Sequence, residues 1–111
     1  MIRFTTPVQE FVFDIDPIAN FARIVISYAQ RGKILFEKEK ADLSFRQSDD
    51  GGDPIYIASF TLSQEETGLL SVQADVDIQV RVLTYNDEAL ASEIFKLKVE
   101  DVLKREVLYA D

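Results

Sequence analysis

The chain has 111 residues, 47% of them apolar, and a formal net charge of −8, so it can form one domain around one hydrophobic core. It contains neither cysteine nor histidine, which excludes a disulfide framework, thiolate metal sites and the commonest general base. The acidic balance argues against nucleic-acid or anionic-membrane partners, since both need a cationic surface.

The first third of the chain predicts strands broken by turns. Val8–Ile15 alternates apolar and polar residues and predicts a strand, with a short strand at Ile2–Thr5 separated from it by Pro7. Pro17–Asn20 fits a helical turn. Phe21–Ala29 is rich in β-branched and aromatic residues and predicts a central strand. Because Met1–Pro7 lacks a basic segment followed by an apolar one, we expect no signal peptide.

A hairpin follows the central strand. Gln30–Lys33 predicts its turn, where Gly32 can adopt a positive φ, and Ile34–Lys38 predicts the returning strand. This pairing should bring Tyr28 and Phe36 into cross-strand contact.

The second half carries the clearest strand pattern. In Asp75–Thr84, the apolar residues Val76, Ile78, Val80 and Val82 alternate with polar ones, which indicates one face in a core and one in water. Three further strands are predicted: a short one around Leu43 and Phe45, Ile55–Leu62, and Ser92–Val99. Ser63–Glu66 is a capping-box sequence and predicts one or two helical turns.

These elements predict an all-β fold, an antiparallel immunoglobulin-like β-sandwich of about seven strands with one short helical turn. We expect a single domain over residues 1–111, with 100–111 as a flexible or helical tail. The longest apolar run, around Phe21–Ala29, is interrupted by Arg23 and is far shorter than a membrane span.

The loop Gln47–Pro54 offers the candidate metal ligands Asp49, Asp50 and Asp53, since calcium prefers several oxygen ligands. Their spacing is not that of an EF-hand, and a solvated loop explains the same residues. We therefore predict no metal and no cofactor.

Two other kinds of site have candidate residues. A hydrolase would need two carboxylates converging in a pocket, and a sugar site would need an exposed aromatic platform. The candidate carboxylates are Glu65, Glu66, Asp75 and Asp77, and the candidate platform residues are Tyr56, Tyr85 and Tyr109. The carboxylates also suit a cap and a polar strand face, so we predict no catalytic residues.

The edges of the predicted sheets indicate more about function than the candidate metal, catalytic and sugar sites do. Lys38–Lys40 and Lys96–Lys98 place lysines where they would protect an edge from pairing with another chain. Association through a different edge, or through the apolar C-terminal tail, stays open. Residues 47–95 contain ten carboxylates and one base, Arg81, which favours solubility or a basic partner.

Five stretches of the sequence carry a resemblance: Met1–Pro7, Ile26–Gln30, Leu62–Thr67, Ile78–Thr84 and Ala89–Ser92. In these stretches, the chain resembles short, uncharacterised proteins that are encoded in prophages of Firmicutes, near tail or baseplate genes. The expected fold is also similar to the N-terminal domain of phage baseplate upper proteins.

This resemblance implies a non-enzymatic structural or assembly protein of a phage tail or baseplate. Its partners would be other phage structural proteins or further copies of itself, with no nucleic acid and no membrane. It would reside in the host cytoplasm before virion assembly, and a place in the virion stays open. The alternative is a small ligand-binding module for carbohydrate or calcium.

Overall fold

Strands make up most of the regular structure, and only short helical turns interrupt them. The computed structural model describes residues 1–49 and 52–110. The strands are β1 (Val8–Phe13), β2 (Phe21–Gln30), β3 (Lys33–Glu39), β4 (Ser44–Ser48), β5 (Ile55–Thr61), β6 (Val76–Thr84), β7 (Ala89–Ala91) and β8 (Phe95–Leu97). The helices are α1 (Pro17–Asn20) and α2 (Gln64–Gly68), with a 3₁₀ turn at Lys40–Asp42.

The strands form two antiparallel sheets. One has the order β1-β5-β4, and the other has the order β3-β2-β6, with β7 and β8 pairing in turn along the far edge of β6. In immunoglobulin nomenclature these sheets correspond to B-E-D and C′-C-F-G, and no strand of residues 1–49 and 52–110 occupies the A position beside β1. The predicted all-β immunoglobulin-like sandwich is confirmed.

The predicted seventh strand is wrong in its detail. Ser92–Val99 is not one strand, because β7 ends at Ala91 and β8 begins at Phe95. The break occurs at Ser92, whose Oγ accepts a hydrogen bond from the Val80 N–H of the neighbouring strand at 3.0 Å. A side chain thus takes the place of a backbone carbonyl in the ladder, and the chain leaves the sheet for three residues.

The ends of the chain also depart from expectation. Ile15 is exposed rather than core-facing, because β1 ends at Phe13 and Asp16 caps α1 instead. The segment Ile2–Thr5 makes a single parallel bridge, Ile2 to Glu100, rather than a strand. Residues 100–110 contain no helix.

The core lies between the sheets and is centred on β2. Ile24, Ile26 and Tyr28 have no exposed surface, as expected for alternate residues on the inner face of a central strand. Tyr28 stacks on Phe36 with ring centroids 4.7 Å apart, which confirms the predicted contact. The Tyr28 hydroxyl donates a hydrogen bond to Gln9 Oε1 at 3.1 Å, and thereby joins the two sheets.

The predicted hairpin turn between β2 and β3 is confirmed. Gly32 has φ +79° and Arg31 has φ +52°, so both central residues are left-handed, as a type I′ turn requires. This turn matches the twist of the two strands that it joins.

One end of the sandwich is closed by α2 and the first residues of the chain. The predicted capping box is present, with Ser63 Oγ accepting from the Glu66 N–H and Glu66 Oε1 accepting from the Ser63 N–H. The buried Thr67 hydroxyl donates to the Thr5 carbonyl at 2.8 Å and accepts from the Thr5 N–H. Arg3 pairs with Asp101 at 3.2 Å, so residues from both chain ends meet here.

No helix in the described part of the chain combines the length and the apolar composition that crossing a bilayer requires.

Replacing Ile26 by alanine should lower the free energy of unfolding by about 2–5 kcal/mol, because the fully buried side chain would leave a cavity. Ile34→Ala is the matched control, since Ile34 is 54% exposed and its loss should cost about 0.5 kcal/mol or less. Urea denaturation of both variants measures the difference. Equal costs would contradict the assignment of the core.

Candidate protein-binding groove

An apolar groove of about 540 Å³ opens along one side of the sandwich, between β1 of one sheet and β7 and β8 of the other. Phe11 and Phe13 form one wall, and Leu90, Phe95 and Leu97 form the other. Its floor includes Val80 on β6. Because Leu90, Phe95 and Leu97 are between 39% and 52% exposed, the groove presents apolar surface to solvent.

The groove is open because β1 has a partner on one side only. All six residues of β1 pair with β5, and no strand of the described residues pairs with the other edge. Residues 1–3, which precede β1, pair instead with the stretch that follows β8, through the Arg3 N–H to the Glu100 carbonyl at 2.8 Å. The unpaired backbone groups along β1 can therefore accept an added strand.

Two other edge strands, β3 and β8, contain lysines, whereas β1 contains none. The edge strand β3 contains Lys33 and Lys38 and pairs irregularly at Tyr28/Ala29. The edge strand β8 contains Lys96, so two of the lysines predicted to protect edges, Lys38 and Lys96, lie on edge strands. The other two do not, because Lys40 lies in the 3₁₀ turn and Lys98 follows β8. In β1, Val8–Phe13, there is no cation, no proline and no register shift.

The polar side chains that line the groove already have partners. Gln9 Oε1 accepts from Tyr28, and Ser92 Oγ accepts from the Val80 N–H and donates to the Glu93 carbonyl. Glu10 pairs with Arg46 at 2.6 Å. The groove therefore offers apolar contact and strand-edge hydrogen bonds rather than the free polar groups that a sugar or a catalytic site requires.

Three carboxylates adjoin, in sequence, the strands that build the groove. Asp14 follows β1, while Glu88 and Glu93 flank β7, and none of these three makes an ion pair with another described residue. Lys96 is neutralised by Asp77 at 2.8 Å. The rim is thus biased toward negative charge and favours an apolar segment that carries cations.

The candidate calcium loop lies between β4 and β5, away from the groove. Asp49 Oδ1 accepts a hydrogen bond from Gln47 Nε2 at 3.0 Å, and Asp50 lies outside the described residues. Within residues 1–49 and 52–110, no three side chains of the metal-binding types cluster.

Two of the four candidate carboxylates are engaged in ion pairs. Glu66 serves the capping box and pairs with Lys38 at 2.8 Å, and Asp77 pairs with Lys96. Each of these two groups has a structural partner, which leaves neither free for general acid–base chemistry.

The three candidate tyrosines do not share a platform either. Tyr56 is half-buried in β5, and Tyr85 lies at the β6–β7 turn with Lys40 Nζ 5.7 Å from its ring centroid. Tyr109 lies beside Leu108, which bonds to Gln64 of α2 at the opposite end of the sandwich.

Sequence reasoning missed the groove because periodicity identifies the faces of a strand but not its neighbours. The stretch Ser92–Val99, which contributes Phe95 and Leu97 to one wall of the groove, is predicted as one strand, whereas Phe95 is 47% exposed and only Val99 in that stretch is buried. One available signal is that the predicted strand Val8–Ile15 contains neither lysine nor arginine.

In comparisons with known proteins, no family model matches the chain, and neither a curated protein nor a solved structure matches it. The resemblance to prophage-encoded proteins therefore stays a prediction.

The Glu66 carboxylate should make stability depend on pH. Burial alone would raise the pKa of Glu66, but hydrogen bonds from Lys38 and Ser63 and the charge of Lys38 outweigh it and hold the pKa below 4.5. A lowered pKa stabilises the fold above pH 4.5, and this contribution is lost as the pH falls through the folded-state value. The free energy of unfolding of Glu66→Gln should therefore decline less below pH 4.5.

Glu65→Gln is the matched control in this experiment, because Glu65 is an exposed neighbour with no ion pair among the described residues. Urea denaturation across the acid range should give this variant the wild-type pH dependence. If Glu66→Gln also followed the wild-type curve, the role assigned to the carboxylate would be wrong.

For the Asp49–Asp53 loop, we expect calorimetric titration with calcium to give no heat of binding, because the acidic spacing does not match a built calcium loop. A saturable heat that Asp49→Asn and Asp53→Asn abolish would instead establish a site there.

Proposed function

We propose that this protein is a non-enzymatic assembly module that acts through protein–protein contacts. The observation that carries the proposal is the unpaired edge of β1 beside the apolar groove. An extended segment added there would satisfy backbone groups of β1 and bury apolar side chains between the sheets, which is a common mode of peptide recognition.

The biological setting that we propose is the tail or baseplate of a phage, and the support for it is the resemblance of the sequence to prophage-encoded proteins. Strand addition suits such a setting, because repeated contacts between subunits build a particle from small domains. The partners would be other structural proteins of the particle or further copies of the chain.

An enzymatic role has less support than a role in assembly. The sequence lacks cysteine and histidine, and the carboxylates Glu66 and Asp77 are engaged in ion pairs. The groove itself offers apolar surface, and its polar side chains are occupied.

Leu90→Lys should weaken association through the groove by about tenfold or more, since burying one leucine contributes about 1.5–3 kcal/mol. Ile34→Lys is the matched control, because the two residues are 52% and 54% exposed and Ile34 lies on β3, away from the groove. Light scattering on size-exclusion fractions over a range of concentrations measures self-association of each variant, and titration calorimetry measures binding to the products of adjacent genes. A chain that stays monomeric and binds none of those products would contradict the proposal.

A further inference from the structure

The C-terminal segment, residues 102–109, is the second apolar feature of the chain that its own fold leaves uncovered. Leu103 is fully exposed, and Leu108 and Tyr109 are 69% and 77% exposed. The segment is held to the rest of the chain by solvent-exposed contacts, including the reciprocal hydrogen bonds between Gln64 and the backbone of Leu108. Releasing it would break the Arg105–Asp101 ion pair and uncover parts of Val102 and Val107, which are half-buried.

We infer that the open groove of one copy receives the C-terminal segment of a second copy as an added strand, an inference that rests on the proposed function. In an extended conformation, Leu103, Arg105, Val107 and Tyr109 would lie on one face. Three of these four side chains are apolar and suit the groove. Eight extended residues span about 26 Å, enough to cover the six residues of β1, which span about 20 Å.

The charge of the C-terminal segment favours it as the occupant of the groove. The segment carries Lys104 and Arg105 against one carboxylate, Glu106, in a chain whose net charge is −8. Lys104 pairs with Glu106 at 3.1 Å and Arg105 with Asp101 at 2.6 Å, but both cations are largely exposed, and such exposed pairs contribute little and can exchange partners. Asp14, Glu88 and Glu93 adjoin the groove strands β1 and β7 in sequence and make no ion pair with another described residue. A long side chain such as that of Arg105 can lay its apolar stem along the groove and place its guanidinium at the rim of the groove.

The segment does not occupy the groove of its own copy. Residues 98–101 continue from β8 and pair with residues 1–3 of the same copy. From there the chain runs to α2, where Gln64 binds Leu108. A second copy supplies the segment without disturbing this pairing of the chain ends.

The contact is heterologous, because the two copies contribute different surfaces. Repetition of such a contact gives a ring where the rotation closes and a filament where it does not. This outcome fits a protein that builds a larger particle.

Single cysteines test the inference cleanly because the native chain contains none. Copies carrying Phe95→Cys in the groove are mixed, under mild oxidation, with copies carrying Val107→Cys or Tyr109→Cys in the segment. We expect a disulfide between the two kinds of copy, in several-fold excess over a mixture in which Ile34→Cys on β3 replaces Phe95→Cys. In cysteine-free chains, Tyr109→Lys should weaken self-association as strongly as Leu90→Lys does.

Two results would overturn the inference and leave the proposed function standing. One is a disulfide between two Phe95→Cys copies with none to the segment, which indicates a symmetric groove-to-groove contact. The other is self-association or binding to a neighbouring gene product that Leu90→Lys weakens and Tyr109→Lys does not. If neither disulfide formed, and the chain stayed monomeric and bound none of those products, both the inference and the proposed function would be overturned.

Discussion

The path of the first seven residues determines which side of the sandwich stays open. Residues 1–3 pair in parallel with the stretch after β8, and Arg3 reaches both Asp101 and the Gly68 carbonyl. Phe4, with φ +56°, then turns the chain, and the Thr5 backbone is held by the buried Thr67 hydroxyl. With its start fixed at one end of the molecule, the chain enters β1 without supplying the neighbouring strand that a complete immunoglobulin sheet has.

This arrangement leaves apolar surface exposed at a place where a closed sandwich would bury it. Leu90 and Phe95 are each about half exposed, although they face the same interior as the fully buried Val76 of β6. An unpaired edge strand without lysine or proline, beside exposed apolar surface, promotes aggregation unless it is used to bind a partner. The lysines on β3 and β8 show the protection that β1 lacks. The contrast among edges within one molecule supports a binding role more strongly than the groove alone.

Local signals in the sequence were sufficient for most of the fold. The alternation in Val76–Val82 predicts β6, Gly32 predicts the hairpin turn, and Ser63 with Glu66 predicts the start of α2, because each depends on residues close in sequence. The break between β7 and β8 was not predictable, since it depends on Ser92 meeting the Val80 N–H across the sheet. The groove was missed for a similar reason, because it depends on which edges of two sheets face each other.

Charge sets the direction of the proposed assembly. Two copies that each carry a charge of −8 repel one another, and a symmetric contact would bring two acidic rims together. A head-to-tail contact would instead bring the cation Arg105, on the groove-facing side of the added strand, near Glu93, which adjoins the groove residue Ser92, so that local attraction offsets part of the overall repulsion. The apolar side chains supply the contact area in either arrangement, whereas the charges discriminate between them. The uneven charge of the chain thus favours an open or cyclic series of copies over a two-fold pair.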